Sequence, residues 1–200
     1  MTIFKNNNTL TPFKKYRELY ELASSVNQDS IESIIISSYS IENNEVDSRC
    51  VNLKYLDDNK FIFFSNYNSP KSHQFASHPQ VSAVIFWNKI NIQIRLKANI
   101  NKISSIYSDM HFKTRSKEKN ALAISSDQSR PISSFLKFNN IYKLQLNANK
   151  DFKTRPSHWG GFEVEPYYFE FWTGHNNRLN HREAYYLDKN NEWSSSILQP

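Results

Sequence analysis

The clearest pattern along the chain is a strict alternation of apolar and polar residues over positions 90–100. Successive side chains of a β-strand point to opposite faces, so this segment predicts a half-buried strand with Gln93, Arg95 and Lys97 on its polar face. Runs rich in β-branched and aromatic residues predict seven further strands. They lie at residues 33–41, 49–56, 60–65, 81–87, 162–172, 183–187 and 193–198.

Apolar residues spaced three and four positions apart predict helices between these strands. Residues 12–26 favour a packing helix, and residues 70–77 a short one. Residues 104–126 also favour a helix, with Ser104 as its N-cap. Residues 133–156 have no strong period and predict a looser connection. Many short strands with a few helices indicate a mainly β, α+β fold, in which a small antiparallel β-barrel is decorated by helices.

Composition narrows the class of protein. Positive residues exceed acidic ones by six, but no block of consecutive basic residues indicates a nucleic-acid interface. The single Cys50 and the absence of an apolar signal or membrane-length segment predict a soluble cytoplasmic protein without a membrane partner. The histidines have no metal-binding spacing, so we expect no metal site. Only three glycines are present, which excludes glycine-rich phosphate loops, and any phosphate must be held mainly by side chains.

The C-terminal segment carries the most informative chemistry. Trp172 offers a flat apolar face, and Arg178 and Arg182 offer planar guanidinium groups, a combination that suits a flat anionic ligand. The alternative is an amphipathic terminal strand with exposed arginines.

Three other groups could hold an anion. Ser69 and Lys71 stand at a predicted helix start, where free amides favour phosphate, although a plain helix cap explains them equally well. His111, Arg115 and Lys119 are spaced by four, so one helix would align them across a phosphate or, alternatively, form a solvated basic face. Arg49 and Lys54 would lie at the two ends of one strand and point to opposite faces.

Taken in order along the chain, these groups and several others resemble the pyridoxamine 5′-phosphate oxidase family over residues 30–200. The positions that carry the resemblance are Arg49, Lys54, Asn66, Ser69, Lys71, Gln93, Arg115, Gln128, Ser129, His158, Trp159, Gly160, Gly161, Glu170, Phe171, Trp172, Gly174, Arg178, Leu179 and Arg182. The resemblance implies an FMN-binding split β-barrel and a homodimer with two flavin sites at the subunit interface. It also implies an N-terminal helical segment at 1–30 and a domain at 31–200 that includes the C-terminal dimerisation and active-site segment.

The resemblance assigns twelve positions to the cofactor FMN. Arg49 and Lys71 would contact its phosphate, and Gln93 the flavin ring. The full set is Arg49, Cys50, Val51, Lys54, Phe64, Ser65, Lys71, Gln93, Gln128, Ser129, Trp172 and Arg182.

The resemblance also assigns a substrate set, in which Lys54 and Arg115 would bind phosphate and Arg178, the expected catalytic residue, would lie over a pyridine ring. The set is Lys54, His111, Arg115, Lys119, Arg178 and Asn180. Three of these depart from the family pattern, which usually has Tyr at His111, Ser at Lys119 and His at Asn180. The departures bear on the identity of the substrate.

The leading function implied by the resemblance is oxidation of pyridoxamine or pyridoxine 5′-phosphate to pyridoxal 5′-phosphate, with O2 as the electron acceptor. One alternative keeps FMN and oxidises another reduced heterocycle, of the phenazine-biosynthesis type. Another alternative is a flavin-binding protein without catalytic activity. A small phosphorylated substrate and a second copy of the chain are the expected partners.

Overall fold

The computed structural model describes residues 1–6, 9–148 and 151–200. Within these residues the strands form one ten-stranded sheet. The strands are β1 (Ile3–Lys5), β2 (Ser33–Ser40), β3 (Glu45–Asn52), β4 (Tyr55–Asp57), β5 (Lys60–Asn66), β6 (Gln80–Trp87), β7 (Ile92–Lys102), β8 (Trp159–Thr173), β9 (His181–Leu187) and β10 (Trp193–Leu198). The helices are α1 (Thr11–Ser25), α2 (Pro70–Ser77), α3 (Ser105–Thr114), α4 (Lys117–Ser125) and α5 (Phe135–Asn147).

The strand β8 organises the sheet. The main path runs β1-β4-β5-β8-β7-β6-β2-β3, and every pair is antiparallel except β1 with β4. The first residues of β8 pair with β5, the last pair with β9, and β7 follows nearly the whole length of β8. The mixed, mainly β architecture is therefore confirmed, with helices on the surface of the sheet.

Aromatic side chains of α1 close the core over this sheet. Phe13 packs edge-on against Phe169 of β8, and Tyr16 packs edge-on against Phe61 of β5, with ring centroids 5.1 and 4.9 Å apart. Tyr16 also contacts Trp87 of β6. Because such large rings bury 150–250 Å² each, α1 is held mainly by apolar contact. The helix predicted for residues 12–26 is confirmed. None of the described helices is long and apolar enough to cross a membrane.

The single strand predicted over residues 49–56 is wrong, because the chain changes partners within it. β3 ends at Asn52, after which the Leu53 N–H donates to the Glu32 carbonyl and the Lys54 N–H donates to the Ile62 carbonyl of β5. β4 then begins beside β5. Arg49 is consequently on β3, whereas Lys54 lies in the link between β3 and β4, so the two are not at the ends of one strand.

The continuous helix predicted over residues 104–126 is also wrong. α3 ends before Arg115, whose extended backbone (φ −76°, ψ 153°) cannot continue a helix, and Ser116 caps α4 by accepting the Lys119 N–H. His111, Arg115 and Lys119 therefore do not share one helix face. Ser104 does cap α3, since its hydroxyl accepts the Tyr107 N–H.

The loose connection predicted over residues 133–156 contains the helix α5. Ser134 caps it by accepting the Lys137 N–H. Several apolar residues of α5, such as Leu136 and Leu144, are exposed to solvent. The apolar positions therefore do not mark one buried face, and the sequence lacks the three-to-four spacing of an amphipathic helix. Positions 149 and 150 lie outside the described residues. The short strand β1 was not predicted.

Two tyrosines one turn apart on α1 give a test of this core. The Tyr16 hydroxyl is buried without a hydrogen-bond partner in the described structure, whereas the Tyr20 hydroxyl accepts the Thr2 N–H at 2.8 Å. Removing an unpaired buried hydroxyl removes a desolvation penalty, so we expect Tyr16→Phe to raise the free energy of unfolding by about 1 kcal/mol. Tyr20→Phe is the matched control and should lower it by about the same amount.

Thermal denaturation measures both changes. For a chain of this length, each kcal/mol corresponds to a shift in Tm of about 2–4 °C. A lower Tm for Tyr16→Phe would show that its hydroxyl has a stabilising partner.

Candidate active site

The first group of candidate side chains surrounds the N-terminal end of α2. Arg49 of β3 donates from Nη1 to Ser38 Oγ (2.7 Å) and from Nη2 to Gln74 Oε1 (2.8 Å) and an Asp47 carboxylate oxygen (2.6 Å). Ser38 Oγ also donates to Gln74 Oε1 at 2.6 Å. This network fixes the guanidinium between the edge of the sheet and the helix.

Lys71 lies beside Arg49, in the first turn of α2, and is buried. Its ammonium donates to Ser65 Oγ (3.0 Å) and Ser69 Oγ (3.1 Å), and within the described residues it has no carboxylate at ion-pair distance. Burial, followed by the charge of Arg49, lowers the pKa of Lys71 to about 8. A buried cation with only hydroxyl partners, next to a second cation, is suited to an anion.

The loop after α4 completes this group. Gln128 Oε1 accepts from Ser65 Oγ (3.4 Å) and from the Asn66 N–H (3.3 Å). The adjacent Ser129 has a left-handed backbone (φ 70°), which turns the chain back towards α2. A cavity of about 700 Å³ opens here between α2, this loop and the β2–β3 turn.

The second group is a stack of three parallel rings at the start of β8. The Phe64 ring lies 3.8 Å from the His111 imidazole and 5.3 Å from Trp159, measured between centroids, with interplanar angles of 13° and 11°. Gly161 permits this arrangement, because a Cβ there would lie 2.9 Å from the Phe64 ring. Tyr55 Oη lies 2.8 Å from His111 Nδ1.

Arg115 lies over the outer face of this stack, with its guanidinium carbon 4.2 Å from the Trp159 ring centroid. Nη2 donates to the Lys119 carbonyl at 3.0 Å, whereas Nη1 is buried without a partner in the described structure. Burial lowers the pKa of Arg115 to about 10. A pocket of about 300 Å³ adjoins it, lined by Phe64, Ser65, Asn66, Arg115, Lys119, Leu122, Ala123, Ser126, Gln128, Phe138 and Trp159.

His111 stacks with the lining rings Phe64 and Trp159, and its pKa reflects the charges beside the pocket. Burial, and then the positive charges of Arg115, Lys54, Lys5 and Lys119, lower the pKa of His111 to about 4. The imidazole is therefore neutral at physiological pH. The structure brings the predicted substrate residues of this region together, but not from one helix. Lys54 lies just before β4, His111 lies on α3, Arg115 follows α3, and Lys119 lies on α4.

The third group lies at the opposite end of β8. Gln93, Trp172 and Arg182 form one row across β7, β8 and β9, as neighbouring Cα partners. Two residues before Trp172 on β8, the buried Glu170 accepts from Arg182 Nε (2.8 Å), Arg95 Nη1 (2.7 Å) and the Tyr168 hydroxyl. Burial alone would raise the pKa of Glu170, but the hydrogen bonds from Arg182 and Tyr168 and the charge of Arg95 outweigh it and lower that pKa.

Arg178 and Asn180 belong to the loop between β8 and β9. Arg178 has a left-handed backbone (φ 62°) and an exposed side chain. The Asn180 Oδ1 accepts the His175 N–H at 3.0 Å, so this amide stabilises the loop itself.

The two ends of β8 separate the predicted site into two halves. Trp159 and Trp172 are thirteen positions apart on one strand, which corresponds to about 40 Å at 3.3 Å per residue. Arg115 contacts Trp159 at the first end, and Arg178 lies in the loop that follows the second end. The structure therefore does not bring the cation-rich half and the C-terminal half together within one chain.

Two predicted cofactor positions have other contacts. Cys50 is exposed on the face of β3 opposite Arg49, with its Sγ 2.6 Å from Ser33 Oγ. Val51 is half-buried and packs against the main core.

Several residues that shape the site were not assigned a role from the sequence. Trp159 and Glu170 stood within recognised motifs, but Tyr55, Gln74 and Ser38 act through contacts between distant segments. The residue pattern within one segment cannot predict which side chains of a distant segment it will contact. Among the described residues, no three His, Cys, Asp or Glu side chains form a group that could hold a metal ion.

Comparison with known proteins identifies the family. Residues 159–200 match the model of the pyridoxine 5′-phosphate oxidase C-terminal dimerisation region. Pyridoxine/pyridoxamine 5′-phosphate oxidase from Vesicomyosocius okutanii is 34% identical over 193 residues, covering 95% of this chain and 89% of that protein. The enzyme of that name from Herminiimonas arsenicoxydans is 33% identical over 159 residues, covering 80% and 75%. The chain belongs to the pyridoxine/pyridoxamine 5′-phosphate oxidase family.

Solved structures support the fold. PhzG from Burkholderia lata, in complex with tetrahydrophenazine-1-carboxylic acid, matches with a TM-score of 0.88 at 21% identity, over 94% of this chain and 92% of that one. A pyridoxamine 5′-phosphate oxidase-related, FMN binding protein from Nostoc punctiforme matches with a TM-score of 0.80 at 14% identity, over 97% and 100%. The predicted family and its enzyme class, a flavin-dependent oxidoreductase, are confirmed.

Glu170 provides a test of the C-terminal half of the site. It is 2% exposed, and Glu170→Gln would remove the charge that holds Arg95 and Arg182. We expect a loss of about 2 kcal/mol in the free energy of unfolding at pH 7, since hydrogen bonds to charged groups contribute about 1.5–3 kcal/mol. Glu165→Gln, on the same strand with only an Asn59 partner, is the control and should cost less.

The contribution of Glu170 to the free energy of unfolding depends on pH. Because the pKa of Glu170 in the folded state is below its ordinary value of 4.5, its contribution is fully present above pH 4.5 and is lost as the pH falls through the folded-state pKa. Urea denaturation at pH 7 and pH 3 measures the free energy of unfolding of the wild type and of Glu170→Gln at each pH. A difference between wild type and Glu170→Gln that stayed constant with pH would contradict the charged interaction.

Proposed function

We propose that this chain is an FMN-dependent oxidase of pyridoxine or pyridoxamine 5′-phosphate, with O2 as the acceptor. The observation that carries the proposal is that two separate cationic positions lack an anionic partner in the described structure. Lys71 is buried against hydroxyls only, and Arg115 Nη1 is buried without a partner. A phosphorylated cofactor and a phosphorylated substrate supply one anion for each position.

The residues around α2 fit the phosphate of FMN. Lys71 and the Ser65 and Ser69 hydroxyls converge on one point, with Arg49 held beside them by Ser38 and Gln74. Arg49 and Lys71 hold the phosphate, Gln128 and Ser129 stand at the adjoining cavity, and Gln93, Trp172 and Arg182 contact the ring system. FMN supplies the two-electron acceptor for the reaction, and the protein supplies binding and orientation.

The residues around the aromatic stack fit the phosphate of the substrate. Arg115 Nη1 offers a free donor, Lys54 and Lys119 add charge, and His111 adds a neutral ring at the same place. An uncharged hydroxymethyl group at that position would leave these donors without a counter-charge, so the unphosphorylated vitamers are poor substrates. Arg178 is placed on an exposed loop from which it can orient the substrate ring.

A homodimer unites the two halves of the site. Arg115 contacts Trp159 at the first end of β8, and Arg178 lies in the loop after its last residue. A second copy must therefore supply one of the two arginines to each site. The C-terminal segment of the chain matches a dimerisation region, which supports this arrangement. In a two-fold dimer each subunit gives the cation-rich half of one site and the C-terminal half of the other.

A reduced heterocycle with a carboxylate is the second candidate for the substrate. PhzG, the structural relative described above, binds such a molecule. Lys119 and Asn180, which depart from the usual family residues, motivate the comparison. Arg115 and Lys54 would accept either anion, so only turnover separates the two substrates.

Turnover on defined substrates tests the proposed reaction. We expect FMN-loaded protein to oxidise pyridoxine 5′-phosphate and pyridoxamine 5′-phosphate, and to use unphosphorylated pyridoxine at least about 100-fold less efficiently, because two or more charge-assisted hydrogen bonds are lost. Arg115→Ala should raise KM mainly, since its contact with the phosphate is the same in ground and transition states. Lys189→Ala, in the exposed turn between β9 and β10, is the control.

Oxidation of tetrahydrophenazine-1-carboxylic acid without turnover of either 5′-phosphate would overturn the proposed substrate. Saturable FMN binding without turnover of any of these compounds would favour a flavin-binding protein.

Subunit mixing tests whether the site is shared. At a substrate concentration far below the raised KM of Arg115→Ala, Arg115→Ala and Arg178→Asn should each be nearly inactive as homodimers. Asn tolerates the left-handed backbone of position 178. After subunit exchange, half of the dimers carry one chain of each kind and one intact site each. Activity should therefore return to about a quarter of the wild-type value in a two-fold dimer.

Two controls accompany the mixture. Each variant mixed with itself under the same exchange conditions should stay inactive, and wild type mixed with wild type should be unchanged. A mixture that regains no activity, although mass spectrometry shows mixed dimers, would place both arginines in one chain's site.

A further inference from the structure

Tyr55 has no role in the site described so far, yet it makes the hydrogen bond that fixes His111. Its Oη lies 2.8 Å from His111 Nδ1, and the two rings meet edge-on at 85° with centroids 5.4 Å apart. Phe64 constrains the imidazole a second time, because its ring stacks on the flat face of His111. The ring of His111 is therefore held in one orientation by two independent contacts.

This arrangement leaves Nε2 as the ring atom available to a ligand. In the described structure Nε2 has no hydrogen-bond partner, and Arg115, Lys54 and Lys119 act on the same ring through their charges. The imidazole is neutral at pH 7, so it has one donor nitrogen and one acceptor nitrogen. Which of the two faces a ligand depends on the hydrogen bond at Nδ1.

The chemistry of Tyr55 decides between the two forms. Burial raises the pKa of Tyr55, so the phenol keeps its proton at neutral pH. His111 Nδ1 is its only hydrogen-bond partner in the described parts of the chain, so the O–H has no other acceptor there. When the O–H donates to Nδ1, the ring proton must reside on Nε2.

We propose that Tyr55 is a positioning residue that holds His111 in the Nε2–H tautomer, so that a neutral N–H donor is available to an anion bound among Arg115, Lys54 and Lys119, beside the pocket whose Phe64 and Trp159 rings stack with His111. The opposite tautomer would present a lone pair to the anion and repel it. The proposal rests on the proposed function only for the identity of the anion, since any phosphate-bearing ligand of this pocket needs the same donor.

The proposal also explains why a histidine is compatible with this position. A tyrosine, the usual residue here, presents a neutral O–H donor, and His111 in this tautomer presents a neutral N–H donor. A protonated histidine would add a further charge beside Arg115, Lys54 and Lys119, which like-charge repulsion disfavours.

The tautomer can be measured directly in the wild-type protein. In ¹⁵N-histidine NMR of the FMN-loaded enzyme with saturating inorganic phosphate, we expect the His111 signals of the Nε2–H form. A spectrum of the Nδ1–H form would overturn the proposal without any variant. This result is independent of whether the chain oxidises a vitamer, so a failed substrate assignment is recognised separately by turnover.

The variant Tyr55→Phe removes the hydroxyl and keeps the ring. We expect both tautomers of His111 to be populated, and the Kd for inorganic phosphate and the KM for pyridoxine 5′-phosphate to rise about fivefold, the equivalent of one neutral hydrogen bond. The kcat should be nearly unchanged. Tyr39→Phe is the matched control, because Tyr39 also packs edge-on against a histidine, His78, but donates to Asn44 Oδ1.

Repeating the Tyr55→Phe change in a His111→Tyr protein shows whether Tyr55 acts by positioning His111 or by a general structural role. In His111→Tyr the phenol supplies its own O–H, so adding Tyr55→Phe should cost no further affinity for phosphate. An equal loss in both backgrounds, or unchanged tautomer and affinity in Tyr55→Phe alone, would overturn the proposal. Thermal unfolding of each variant verifies that the compared proteins are folded.

Discussion

The hydrogen bonding of β8 is the constraint on which the rest of the molecule depends. One edge of this strand pairs with β5 and then with β9, while β7 follows the other edge. The strand therefore anchors Trp159 and the cation-rich pocket at one end, and Trp172 and its arginine neighbours at the other. The length of this strand keeps the two halves apart in each chain. That separation is the basis for the proposal that a second copy completes the site.

The electrostatics of the two halves are opposite in kind. Around Trp172, the buried Glu170 already neutralises Arg95 and Arg182, so these groups are ordered before any ligand arrives. Lys71 is buried and Arg115 is half-buried, each without a carboxylate partner in the described structure, and burial lowers the pKa of both. The free energy that burial costs there is recovered only when an anion binds. Preorganised donors of this kind favour binding of phosphate groups over neutral molecules.

The sequence predicted most strands, two of the helices and the family, because alternation and three-to-four spacing are local properties. The predictions failed where tertiary contacts break a local pattern. The backbone amides of Leu53 and Lys54 change partners, and Ser116 starts a new helix after Arg115. For the site, charged residues in recognisable order were found from the sequence, whereas Tyr55 was not. Its role depends on a contact with a residue 56 positions away.

The lowered pKa of Lys71 has a consequence for the thermodynamics of binding. Because the pKa of Lys71 is lowered to about 8, a fraction of the ligand-free molecules carries an uncharged amine at mildly alkaline pH. A phosphate dianion beside Lys71 favours the ammonium form, so binding at that pH draws a proton from the buffer. The observed enthalpy of binding then includes the ionisation heat of the buffer, and calorimetry in buffers of different ionisation heat counts the protons taken up. Binding of the anion and protonation of the lysine are thus one linked equilibrium.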